Sequence, residues 1–151
     1  MTSDDADAIS DLWEQLAVYH LQLDNALPRP APNGGRIYSR RLIERLEDGQ
    51  TAAFVAEEEG QIVGFVLGVV VDLVPEMFVT ELCGFLADIY VLPEFRGRGI
   101  GRALVQSMTD WFRAQGLTYY EWYVAANNPD GQAFWRAIGG RELMMRMRAE
   151  L

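Results

Sequence analysis

Arg96-Gly97-Arg98-Gly99-Ile100-Gly101 constrains this chain more than any other segment. Glycines at alternate positions neither propagate a helix nor pack a ladder strand. Yet residues 81–91 before them read as a strand, and residues 99–115 carry Ile100, Leu104, Met108 and Trp111 at helical steps. A strand that turns on glycines straight into a helix presents backbone N–H groups to an anion such as a pyrophosphate, with the positive end of the helix dipole behind them. A phosphorylated ligand is therefore expected at this turn. No Gly-Lys-Ser/Thr follows, as a triphosphate loop would require, and a dinucleotide fingerprint counted from Gly97 meets Arg102 at its sixth place. Nucleoside triphosphate and NAD are thereby excluded.

The rest of the chain alternates between the two periodicities. Ile9, Leu12, Trp13, Leu16 and Tyr19 describe an amphipathic helix from about Ala8, with Asp4, Asp5 and Asp7 at its dipole-favoured start. Residues 28–35, three prolines and then Asn-Gly-Gly, read as an ordered loop over a site, followed by a second helix over 37–46. Residues 52–57 and 61–73 form a predicted hairpin turned at Glu58-Glu59-Gly60. Beyond Gly116, which ends the long helix, residues 118–124 read as a strand. Asn128-Pro129 is an N-cap and first-turn pair opening a short helix with Phe134 and Ile138 on one side. Gly139-Gly140 closes it, and residues 142–149 are predicted as a final strand. The order implies an α+β fold, a central mixed sheet flanked by helices, with a right-handed parallel crossover through the long helix.

Composition limits the partners. At 151 residues and 50% apolar, the chain has the size and content of one domain spanning 1–151. Its basic side chains are 13 arginines and no lysine against 22 carboxylates, a net charge of -9, which argues against nucleic acid and suits either a small cationic substrate or solubility alone. Cys83 is the only cysteine and His20 the only histidine, so neither an internal disulfide nor a metal ligand set is expected, and a reducing, cytoplasmic setting is the default. The acidic start lacks the basic and apolar regions of a signal peptide. The longest apolar stretch, 62–71, is far short of the roughly twenty residues of a membrane helix. Cys83 reads as a small core residue, and Met144, Met145 and Met147 as core or as a face for a second copy of the chain.

Arg96, Gly99 and Gly101 also fill an Arg/Gln-x-x-Gly-x-Gly/Ala pattern. With Asp88-Ile89-Tyr90-Val91-Leu92-Pro93-Glu94-Phe95 before it, the segment closely resembles the acetyl-CoA-binding motif of the GNAT N-acetyltransferase superfamily. Downstream, Asn128, Phe134-Trp135 and Gly139-Gly140 are similar to that family's Asn, Phe-Tyr and Gly-Phe pattern. The resemblance spans nearly the whole chain, and it implies a GNAT-type fold whose third and fourth strands splay to admit acetyl-CoA as co-substrate. An acceptor amine would then attack the thioester directly in a ternary complex. Backbone groups of Ile89, Tyr90 and Val91 would line the pantetheine arm, a backbone N–H near Val91 would polarise the thioester carbonyl, and Arg96, Gly97, Arg98, Gly99, Ile100, Gly101 and Arg102 would cradle the pyrophosphate. Asn128 would add a cofactor contact to its capping role.

The chain departs from the family twice. The short strand that usually precedes the first helix is missing or truncated. Trp135 stands where the family often has a tyrosine that protonates the departing thiolate, and an indole N–H donates hydrogen bonds without acting as a usable acid. A free thiol's pKa of about 8.5 lets water serve near neutral pH, and Tyr123 and Tyr19 are substitutes. The amine's proton calls for a carboxylate, with Asp88 the first candidate and Glu81 the second. The rival reading is a non-catalytic acyl-CoA-binding or regulatory module that keeps residues 96–101 and lacks turnover.

Overall fold

The computed structural model describes residues 1–151 apart from the side chain of Ser3. Helix α1 spans Ala6–Leu23 and α2 spans Gly34–Leu46. Strands β1 (Thr51–Glu58), β2 (Gln61–Asp72) and β3 (Leu82–Val91) follow, then α3 (Ile100–Ala114), the short β4 (Tyr120–Glu121) and α4 (Pro129–Ala137). The sheet order is β1-β2-β3-β4, antiparallel except for the parallel β3–β4 pair, as expected for a mixed α+β sheet. Among the described residues no strand precedes α1.

Period-two alternation divides the sheet between two helical layers. In β2, Gly64 lies under Leu104 of α3, and Gly68 under Met108 and Phe112. Phe65 meets Tyr38 of α2 on the opposite face. A Cβ on Gly68 would sit 2.3 Å from the Met108 sulfur, so glycine is what lets α3 lie close on the strand. The stripe α3 buries is Ile100, Leu104, Val105, Met108 and Phe112, whereas Trp111, expected in it, is half-buried at its margin. Full burial of side chains the size of Met108 and Phe65 is worth about 1.5–3 kcal/mol each.

Several boundaries differ from the expectation. Helix α2 begins at Gly34, inside the stretch read as loop, because glycines there permit close contact with α1: a Cβ on Gly35 would lie 2.6 Å from the Ser10 carbonyl. The predicted last strand does not form. Residues 141–151 have no ladder partner, and Met144 and Met145 are 92% and 78% exposed, so the methionine run is not core. Strand β4 is two residues long, giving the sheet little outer edge for a further strand to pair with. In α4 the buried side chain is Trp135, with Phe134 and Ile138 half-buried beside it.

Candidate active site

Strands β3 and β4 pair only at Gly84↔Tyr120 and Phe85↔Glu121. Past those pairs the β4 side of β3 has no ladder partner. Leu92 N–H bonds to Val63 C=O on the β2 side, so strand alternation turns the N–H groups of Ile89 and Val91 to the open edge, while Tyr90 turns back to β2. The Val91 carbonyl, also on the open edge, accepts from Arg96 Nε at 2.9 Å.

Beyond β3 the chain makes the turn anticipated from its glycines. Gly97 and Gly99 have φ of 76° and 86°, the left-handed region, and a Cβ on either would meet nothing within 4 Å, so conformation and not crowding demands glycine. The first backbone bond at the start of α3 runs from Ala103 N–H to Gly99 C=O, which leaves the N–H groups of Ile100, Gly101 and Arg102 outside the ladder. Gly101 faces Phe134 of α4 at ordinary contact distance. The arginines divide their work. Arg96 stacks over Tyr19 and Tyr90 besides holding Val91, and Arg98 donates to the Glu94 carbonyl and lies over Phe95. Both guanidinium groups brace the turn, while Arg102 is exposed. The donors left outside the ladder at this turn are thus backbone N–H groups, a geometry that could hold an anion such as a pyrophosphate.

Asn128 caps α4, its Oδ1 accepting from Gly131 N–H at 3.0 Å, and Gly131 leaves the room for it, since a Cβ there would lie 2.5 Å from the Asn128 side chain. Tyr19 also donates to that oxygen, at 3.2 Å, and so ties α1 to the start of α4 beside Arg96. Trp135 is only 7% exposed, and its ring lies 4.5 Å from that of Trp122. Packing therefore explains it. Tyr123 is 81% exposed against the edge of Phe85. Cys83 is buried, and burial pushes its thiol up, away from nucleophilic use.

The two candidate carboxylates are not brought together. Glu81 precedes the first residue of β3 and is exposed, whereas Asp88 lies seven residues further on, about 23 Å along an extended strand. A β-bulge decides where Asp88 points. Leu67 pairs with Asp88 and the next residue, Gly68, pairs with Leu86, so Ala87 is the extra residue. Without it, Asp88 would share the face of Leu86 and point toward α3. The bulge turns it to the α1–α2 face, where Tyr38 Oη donates to Asp88 Oδ2 at 2.9 Å. Burial holds the Asp88 carboxyl above the ordinary aspartate value, against the opposing pull of the Tyr38 hydrogen bond and of His20. Burial likewise holds His20 below 6.5, with Asp88 pulling it back up. Tyr38 is unmarked in the sequence and His20 stands out only as the sole histidine, and no local signal marks their approach to Asp88, which lies 50 residues from Tyr38 along the chain.

Comparison with known proteins gives this geometry a context. The model of the "Acetyltransferase (GNAT) family" matches residues 16–139. L-2,4-diaminobutyric acid acetyltransferase of Nocardia farcinica is 34% identical over 87 residues, 58% of this chain and 42% of that protein. The chain spans less than two thirds of the length of each of four curated relatives it matches. A crystal structure of a Bacillus halodurans protein superposes with a TM-score of 0.88 at 20% identity, covering 100% of this chain and 96% of that one. An aminoglycoside N-acetyltransferase in complex with CoA superposes with a TM-score of 0.74 at 19% identity, covering 100% and 91%. At these identities the two structures speak to fold.

Proposed function

We propose, for a chain that belongs to the acetyltransferase (GNAT) family, that residues 1–151 form one domain transferring acetyl from acetyl-CoA to a primary amine. The observation that carries this reading is the open edge of β3 leading into the glycine-turned start of α3. Together they offer a line of backbone donors for an acyl-pantetheine arm and its pyrophosphate. The name of one relative supports the acceptor class, since diaminobutyric acid carries amines.

In the proposed reaction the amine nitrogen attacks the thioester carbonyl carbon while Val91 or Ile89 N–H stabilises the developing oxyanion. The C–N bond forms, the C–S bond breaks, and the nitrogen's proton passes to Asp88 directly or through water. A carboxylate whose pKa is raised by burial is a better match to that proton near neutral pH than a solvated one. The CoA thiolate leaves and takes a proton from water, since Trp135 supplies none. Tyr38 fixes one Asp88 oxygen and leaves the other for the amine.

Release of free CoA from acetyl-CoA across an amine panel tests the reading. Amine-dependent release is expected, together with loss of CoA binding in Gly99→Glu, which puts a like charge and a strained φ into the cradle. Trp135, buried against Trp122 where the family often has a tyrosine, favours the rival reading, an acyl-CoA-binding module: saturable CoA binding with no amine-stimulated release by any acceptor would establish it. Unchanged CoA affinity in Gly99→Glu would overturn the cradle itself. We place the protein in the cytoplasm, on its single buried thiol; among the described residues no helix is long and apolar enough to cross a membrane. Leu143, Met144, Met145 and Met147, all exposed on a segment without regular secondary structure, are the surface we propose for association with a second copy.

A further inference from the structure

We propose that the open cavity between α1, α2 and the first two strands is a binding site for a small carboxylic acid with an apolar body. This site is separate from the acetyl-CoA cradle, and it does not depend on acetyl transfer. The cavity has a volume of about 320 Å³. Trp13, Ile37, Leu42, Leu67 and Val69 supply apolar walls, and Trp13 and Tyr38 present stacked rings 5.2 Å apart.

Two cations, Arg41 and Arg45, line the same cavity. Spaced i and i+4, they lie one helical turn apart on one face of α2. Neither forms a salt bridge among the described residues, although the chain holds 22 carboxylates for 13 arginines. Their neighbours Arg40 and Glu44 pair with each other, while Arg41 and Arg45 are exposed at the mouth of the cavity. Asp48, linked to the cavity through Thr51, has one oxygen on Gln50 N–H and the other on the Thr51 hydroxyl. Tyr38 already donates to Asp88 and so brings ring surface but no free proton. The lining is therefore apolar with two unpaired planar cations at its edge, the combination that holds a carboxylate by charge-assisted, bidentate bonds and its hydrocarbon by burial.

The test is isothermal titration of the whole protein with indole-3-propionate and with its neutral amide. The acid is expected to bind at least tenfold more tightly than the amide. Arg41→Gln/Arg45→Gln should remove that discrimination while CoA affinity and circular dichroism stay unchanged. Ile37→Trp, at a surface-reaching wall position, should weaken acid and amide alike by filling the cavity. Equal affinity for the two ligands, discrimination that survives the double substitution, or displacement of the acid by CoA would each overturn the proposal. These readouts are binding constants, so a failure of acetyl transfer leaves them standing, and their failure leaves acetyl transfer standing.

Discussion

Replacing Tyr38 by Phe removes one hydroxyl and keeps the ring that stacks on Trp13 and edges Phe65. The lost bond is the 2.9 Å donation to Asp88. A hydrogen bond to a charged acceptor is worth about 1.5–3 kcal/mol, and one pKa unit corresponds to about 1.4 kcal/mol. Asp88 is half-buried, so solvent replaces part of the bond and the lower end applies: a rise of about one unit. The hydroxyl favours the carboxylate, so its removal moves the Asp88 pKa further up, adding to the effect of burial. If Asp88 is the base, the acid limb of kcat/KM should move about one pH unit to the alkaline side. The assay is CoA thiol release at saturating acetyl-CoA between about pH 5 and 9, with one amine for both proteins so that its own titration cancels. Asp88→Asn, which keeps an acceptor for Tyr38, should lose about 10²–10⁴-fold at every pH. A Tyr38→Phe profile superimposed on the parent's, or an Asp88→Asn protein within tenfold of it, refutes the assignment.

Other outcomes follow from the same contacts. Asn128→Ala removes the acceptor for Gly131 N–H and Tyr19 and should cost about 0.5–2 kcal/mol in urea unfolding, the range for lost helix caps; no loss would mean the cap is not formed. His20 titrates below its unfolded value of 6.5, so the unfolded chain binds its proton first. Stability should therefore rise with pH between the lowered folded value and 6.5, and His20→Asn should flatten that slope in urea midpoints. Asp88 has the opposite sign: its folded value lies above 3.8, so its contribution falls as pH rises from there to the folded value, and Asp88→Asn should remove the fall. Met144→Glu/Met147→Glu should leave a monomer by sedimentation if the tail joins two copies; a parent that is itself monomeric at high concentration contradicts that association.

The sequence by itself determined the elements whose cause is local. Apolar runs bounded by turn residues gave β1, β2 and β3, helical spacing gave α1 and α3, and the glycines at 97 and 99 announced a sharp turn, which the structure makes left-handed. Asn128 before Pro129 likewise marked the start of α4. What failed locally did so for tertiary reasons. Gly34 and Gly35 read as loop until α1 is packed against them, and residues 142–149 have strand-like content but no edge to pair with. The position of Asp88 is the clearest case. Its residue type suggested a base, yet only one extra residue in β3, invisible in the pattern of side chains, sets which face it occupies. The opposite phase would have buried a carboxylate beneath α3. The bulge instead brings it to Tyr38 and His20, residues distant in sequence whose meeting depends on how two helices lie across a sheet.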